Sequence, residues 1–177
     1  MLYRLIILIL KGLSFLPNSV LYMVSDFLCF MIRDVVRYRR QVVENNLLRV
    51  FGNKSREELR VIMKNYYRNL TDLIIETMMI NAMKMEDLNK RISYNNIEVF
   101  DYFYEKGKSV MLLTGHIGNW EWAVMSLDNR IKHNCYAIVK PLNNKYFEKY
   151  LSSLRTKFVP DRLIHFKTTI RDLIKHK

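Results

Sequence analysis

The stretch Val110-Met111-Leu112-Leu113-Thr114-Gly115-His116-Ile117-Gly118-Asn119-Trp120-Glu121 decides the reading of this chain. Its apolar first half follows a break at Gly107 and has the length and composition of a buried β-strand. Gly115 and Gly118 then let the backbone turn sharply and approach a ligand closely. His116 falls at the carboxyl end of the expected strand, where open α/β sheets bind their ligands. A helix expected to start near Asn119 adds free backbone N–H groups and a positive dipole end beside the imidazole. Two readings of His116 stand side by side at this level: a catalytic base, or a histidine satisfied within the packing.

Outward from this stretch, helices and strands alternate. The pattern gives a helix from Asn119 to about Asp128, a strand over Cys135 to Val139 and a helix from about Lys145 to Lys157. A weak strand near Leu163 to His165 and a helix to the end follow. Such alternation predicts an α/β fold with a largely parallel sheet flanked by helices and right-handed crossovers. Upstream, residues 97–106 read as a helix ended by Gly107. Ser55 and Glu58 form a capping box for a long helix to about Met79, after a basic amphipathic segment over 35–50 and a break at Phe51-Gly52-Asn53-Lys54. Leu59, Ile62, Tyr66, Leu70 and Leu73 recur on this helix at the spacing of a buried stripe. The organisation expected is a membrane anchor over 1–33, a helical segment over 34–91 and a catalytic region over 92–177.

With 29 basic and 17 acidic residues among 177, the chain carries a net charge of +12 and calls for an anionic partner. No helix-turn-helix, ribonucleoprotein motif or zinc-ligand spacing is present, so nucleic acid is set aside in favour of a membrane surface or an acidic carrier protein. The two cysteines, Cys29 and Cys135, make no disulfide framework and fit a reducing compartment. No metal site and no cofactor are expected. Residues 2–32 are largely apolar, but Lys11, Pro17, Asn18 and Asp26 divide them into two stretches, each shorter than the roughly 20 residues of a spanning helix. No small-residue cleavage site follows, and Arg33, Arg37, Arg39 and Arg40 place the following chain on the cytoplasmic face against anionic headgroups. The anchor either spans once, enters as a hairpin or lies in the interface.

His116, four intervening residues and Glu121, preceded by Leu113-Thr114-Gly115 and enclosing Gly118-Asn119-Trp120, closely resemble the H-x4-D/E signature of the bacterial lipid A late acyltransferases. These are the lauroyl and myristoyl transferase branch of the lysophospholipid acyltransferase superfamily. The flanks are similar in the same order, with Arg40-Gln41-Val42-Val43-Glu44-Asn45-Asn46-Leu47-Leu48-Arg49-Val50-Phe51 upstream and Val139-Lys140-Pro141-Leu142-Asn143-Asn144 downstream. The resemblance runs over essentially the whole chain. It implies a glycerolipid acyltransferase-like fold, an inner-membrane protein with an N-terminal membrane helix, and transfer of a fatty acyl chain to a lipid A precursor. It also implies more sheet and an Asp-Gln pair beyond the position of Lys177, so that the region from 92 reads as the first part of a catalytic domain, with little activity of its own.

Acyl transfer from a thioester to a hydroxyl requires the hydroxyl to lose its proton as it attacks, and an imidazole is the best-matched base. His116 takes that role, with Glu121 orienting the ring and stabilising the imidazolium. Five positions along a regular helix separate two side chains by roughly 140°, so the pair meets only if His116 lies in the turn before the helix. Gly118 and Asn119 are expected at the substrate. The acceptor itself attacks, which leaves Ser126 and Cys135 structural. Lys140 falls at the carboxyl end of the next strand and is expected to hold a phosphate or the oxyanion; the family usually has arginine there, and lysine keeps the charge without the bidentate fork. Arg155 and Lys157 read as a solvated helix face. Tyr66, Tyr67, Tyr94, Tyr102 and Tyr104 either pack or line an acyl channel. The reaction expected is acyl transfer from acyl carrier protein to a hydroxyl of a lipid A precursor at the inner membrane. The alternatives are another lipid acceptor (lysophospholipid, aminolipid or glycolipid), thioester hydrolysis, or a membrane-associated remnant without catalysis.

Overall fold

The computed structural model describes residues 2–175, and side chains from Tyr3 onward; Met1, His176 and Lys177, at the outer limits of the expected anchor and catalytic region, lie outside the described residues. The chain begins with two short helices, α1 (Leu2–Leu13) and α2 (Asn18–Phe30), separated where Pro17 takes an extended backbone. A π-helical turn over Met31–Val35 leads through a bend to α3 (Arg40–Val50) and the long α4 (Arg56–Met79). There follow α5 (Met85–Arg91), α6 (Glu98–Glu105), α7 (Trp120–Leu127), β1 (Ala137–Val139), α8 (Lys145–Arg155), β2 (Leu163–His165) and α9 (Thr169–Lys175).

The local signals for α4 act as their chemistry requires. The Ser55 hydroxyl accepts from the Glu58 N–H at 3.2 Å, and Glu58 accepts from the Ser55 N–H at 2.8 Å, satisfying two orphan donors reciprocally. Those contacts and the Lys54 ammonium hold the Glu58 carboxyl down at about 2. At the other end of the helical region, Gly107 takes φ +62 after α6, and the Lys108 N–H reaches back to the Phe103 carbonyl at 2.9 Å.

The packing is built around α2 and α4, which run antiparallel. Tyr22 meets Glu76, Ser25 meets Asp72 and Asp26 meets Arg68, so each step forward on α2 is a step back on α4. Leu21, Ser25 and Cys29 form the buried edge of α2 at intervals of four. On α4 the buried residues are Tyr67, Thr71, Ile75, Met78 and Met79. The expected stripe of Leu59, Ile62, Tyr66, Leu70 and Leu73 is therefore rotated by one position, with Tyr66 exposed. The cause is polar. Asp72 and Glu76 do not count as apolar in a periodicity, yet they face α2 because its hydroxyls satisfy them there, Ser25 donating to Asp72 at 2.6 Å and Tyr22 to Glu76 at 3.0 Å; the buried Thr71 between them donates to the Tyr67 and Arg68 carbonyls of α4 itself. Trp122, Met125, Tyr150 and Leu154 from α7 and α8 close the larger core against this pair.

Two expectations are corrected. The segment expected as an anchor forms the two short helices α1 and α2, and among the described residues no helix is long and apolar enough to cross a membrane. The sheet is smaller than expected. β1 and β2 pair in parallel, Ala137 with Leu163 and Val139 with His165, across a connection that contains α8, and the rest of the described chain is mostly helical. The apolar run from Val110, expected as a buried strand, belongs to no helix or strand, and Leu113 is 85% exposed. A run of this composition becomes a strand only when neighbours supply hydrogen bonds on its edges, and no strand lies beside it among the described residues.

The core assignment is checked by truncation on the two faces of the helical pair. Leu21→Ala, at a site 1% exposed, is expected to destabilise the fold by about 2–5 kcal/mol, whereas Leu8→Ala on the outer face of α1 shifts it by no more than about 0.5 kcal/mol, both read from urea midpoints. Equal effects would contradict the inward placement of Leu21.

Candidate active site

The turn that carries His116 is shaped by glycine and closed by a helix cap. Gly118 takes φ +58, a left-handed conformation that strains any other common residue except asparagine or aspartate. Asn119 then caps α7, its Oδ1 accepting from the Trp122 N–H at 3.0 Å. The cap takes one of the first-turn donors, and the Trp120 and Glu121 N–H groups have no intrahelical acceptor, so they point the dipole's positive end toward the turn. His116 lies on the open side of this turn, exposed, its ring edge-on to Trp120 at a centroid distance of 4.7 Å.

Glu121 points the other way. It is only 9% exposed, and its two oxygens are held by the Arg155 fork, Nε to Oε2 at 2.8 Å and Nη2 to Oε1 at 2.5 Å. The pair raises the basicity of the Arg155 guanidinium above its ordinary value. Here the structure departs from the sequence reading twice. The carboxylate expected on the His116 ring is engaged by arginine, and the arginine expected on a solvated face is 19% exposed with its charge turned into the fold. Lys157, just past the end of α8, remains exposed but is engaged, its Nζ donating to the carbonyls of Ile80, Asn81 and Met83 at 2.7–2.8 Å. It thus closes the carboxyl end of α4, where a cation meets the negative end of the dipole.

A second carboxylate, which sequence reasoning passed over, fixes the turn from below. Glu76 accepts from the Asn119 amide at 2.7 Å and from the Tyr22 hydroxyl at 3.0 Å, and its own backbone carbonyl accepts from the Trp122 indole at 3.1 Å. Burial, with the Glu76 charge beside it, pushes the Tyr22 phenol up. The Arg91 guanidinium lies 5.3 Å from the centroid of the Trp122 ring. Both ends of the Asn119 side chain are thus engaged by protein. A signal for Glu76 existed in Leu73-Ile74-Ile75-Glu76-Thr77-Met78-Met79, since a lone carboxylate inside an apolar run needs a partner when it is buried. No comparable signal marked Arg155.

The remaining candidates take structural or peripheral places. Lys140 follows β1 directly and is exposed, and the loop after it is tied to α8 by the Leu142 N–H donating to Glu148 at 2.6 Å. Ser126 is fully buried and bonded to the Tyr94 hydroxyl at 2.6 Å, so it is not a nucleophile. Burial pushes the Cys135 thiol up to about 11, which keeps it protonated near neutrality. His116, Asn119 and Glu121 therefore share one turn, and Lys140 stands at the end of β1. Among the described residues no group of histidine, cysteine and carboxylate side chains has the arrangement of a metal site.

Comparison with known families gives a match over residues 1–177 to the model of bacterial lipid A biosynthesis acyltransferases. Comparison with curated proteins and with solved structures gave no match.

The Glu121–Arg155 pair makes a thermodynamic prediction. Arg155→Met leaves a buried carboxylate without its partner and is expected to destabilise the fold by about 3–5 kcal/mol, whereas the double variant Glu121→Leu with Arg155→Met recovers most of that loss. Chemical denaturation of the single and double variants measures both; simple additivity of the two losses would show that the charges do not depend on each other.

Proposed function

Because the chain belongs to the bacterial lipid A biosynthesis acyltransferase family, we propose that it moves a fatty acyl chain from an acyl carrier protein thioester to a hydroxyl of a lipid A precursor, with His116 as general base. The observation that supports this most is the placement of an exposed imidazole in a glycine turn directly before a helix whose first turn is held by buried charges. In the proposed reaction the acceptor O–H gives its proton to a ring nitrogen of His116 as its oxygen bonds to the thioester carbonyl carbon. The tetrahedral oxyanion is met by the free N–H groups of the first turn of α7. It collapses with cleavage of the C–S bond, and the departing thiolate takes the proton from the imidazolium.

Glu121 acts from its place against Arg155. A carboxylate offers about four lone-pair sites, so the fork leaves acceptor capacity for the imidazole when substrate draws His116 inward; catalytic hydrogen bonds are often long without substrate. Gly118 lets the backbone come close to the acceptor, Asn119 holds the donors in place, and Lys140 holds a phosphate. His116→Ala is expected to lower transfer by about 10²–10⁴-fold with an unchanged circular dichroism spectrum, and Glu121→Ala by less. Transfer is measured with acyl carrier protein thioester or coenzyme A thioester as donor, and with a lipid A precursor or a lysophospholipid as acceptor. Near-normal transfer by His116→Ala would overturn the mechanism, and a preference for lysophospholipid would reassign the acceptor.

The proposed site of action is the cytoplasmic face of the inner membrane, with α1 and α2 lying in the interface. Leu8, Met23 and Phe27 on these helices and Phe15 in the turn between them are 62–74% exposed, a large apolar surface that a bilayer would cover. Attachment of this kind resists salt. The intact chain is expected to stay with membranes in high salt, and Leu8→Ser, Phe15→Ser and Phe27→Ser together release it; release of the intact chain by salt alone would show electrostatic attachment only.

A further inference from the structure

Between the end of α2 and the start of α3 the backbone departs from regular structure in a way that its own sequence does not favour. A π-helical turn at Met31–Val35 is followed by Arg37 at φ +54 and Arg39 at φ +50, left-handed conformations in residues with a full side chain. Three hydrogen bonds hold the bend: the Val36 N–H to Met31 at 2.8 Å, the Tyr38 N–H to Ile32 at 2.9 Å, and the hydroxyl of the fully buried Tyr67 to the Tyr38 carbonyl at 2.8 Å. Strain over-determined in this manner fixes the backbone that carries Arg37, Arg39 and Arg40 before any ligand arrives.

The bend borders a hollow of about 240 Å³ lined by Arg33, Asp34, Arg40, Arg60, Lys64 and Tyr67, with Met63 beside them. At roughly 30 Å³ per water-sized unit this is room for about eight non-hydrogen atoms, the size of a phosphodiester with part of a small polyol. Four cations face one carboxylate. The Arg33 fork already holds that carboxylate, Asp34, through contacts of 2.7–3.0 Å, and Arg60 makes only a loose pair with exposed Glu57 at 3.4 Å. Among the described residues the side chains of Arg40 and Lys64 make no hydrogen bond or ion pair, and both line the hollow. Arg40 also lines a second hollow, of about 420 Å³, with Arg37 and Arg39.

What adjoins the hollow identifies the occupant. Met23, Phe27 and Phe30 are 71%, 62% and 51% exposed on one face of α2, and Val35 and Val36, at 55% and 64%, carry that apolar stripe to the bend. An apolar ridge that ends at a ring of cations matches the acyl-to-phosphate boundary of a bilayer rather than a water-soluble acidic protein. We propose that the hollow between the α2–α3 bend and α4 binds the phosphodiester headgroup of an anionic phospholipid, a docking site separate from the turn of His116. It rests on the membrane placement proposed above.

The test is co-sedimentation of the intact chain with phosphatidylcholine vesicles, with or without about one-third phosphatidylglycerol. Each basic side chain near a membrane surface accounts for about a fivefold change in affinity, so Arg40→Gln with Lys64→Gln is expected to weaken binding to the phosphatidylglycerol vesicles by about 30-fold. Lys90→Gln with Lys149→Gln, a change of equal charge on α5 and α8, is expected to weaken it by less than about fivefold, and thermal melting confirms that both double variants fold. Equal losses in the two double variants, or none in the first, would overturn the pocket while leaving the membrane placement intact. Failure of the intact chain to bind either vesicle would overturn both. Displacement from vesicles by millimolar glycerol 3-phosphate or inorganic phosphate would assign the hollow to a small soluble phosphate, and displacement by stoichiometric acyl carrier protein would assign it to that acidic protein. Acyl transfer enters none of these readings, so the outcome is independent of the role of His116.

Discussion

The Glu76 carboxylate is the junction on which the arrangement of this chain depends. One oxygen accepts from Tyr22 on α2 and the other from Asn119 at the head of α7, while the same residue's main-chain carbonyl receives the Trp122 indole. Two segments, each more than forty positions from Glu76 in sequence, are thereby fixed against one point of α4. A partly buried carboxylate is tolerated only when its lone pairs are taken, and here the groups that take them are those the turn of His116 needs held in place. The angle at which α7 presents its free N–H groups is consequently set by α4 and α2.

A second pair of charges, Glu121 and Arg155, does for α8 what Glu76 does for α2. Its worth lies less in net stability than in specificity, because a buried pair roughly balances its own desolvation while the loss of one partner is severe. Lys157, two residues further on, gathers three carbonyls at the end of α4, so the final turn of α8 and the chain after it are anchored electrostatically at two points. Apolar contacts of Tyr150 and Leu154 then fill the space between. The charges select one orientation of α8, and the hydrophobic core supplies the driving force for it.

The net charge of +12 gains a location from these contacts. Arg155 and Lys157 are engaged by the fold, with Arg155 on Glu121 and Lys157 on three carbonyls, and Arg162 pairs with Asp128 at 3.3 Å. Arg37, Arg39, Arg40 and Lys64 lie instead around the bend between α2 and α3 and the adjoining part of α4, next to the exposed apolar face of α2. Composition alone treats every lysine and arginine as equivalent. Partner geometry separates those that stabilise the fold from those that face an anionic surface.

Features decided by neighbours along the chain were legible in the sequence. The Ser55–Glu58 capping box, the helix to Met79, the breaks at Pro17 and Gly107 and the turn ahead of Trp120 all rest on interactions within four or five residues, which a sequence displays directly. The features misread rest on partners distant in sequence. Whether the run from Val110 forms a strand depends on an edge to pair with, which face of α4 is buried depends on polar groups finding donors on α2, and the place of Glu121 depends on an arginine 34 positions away. Residue type and spacing determined where the elements and the histidine turn lie. Only the tertiary structure decided which charges are paired, because pairing is a property of distance in space, and desolvation makes that distance decisive.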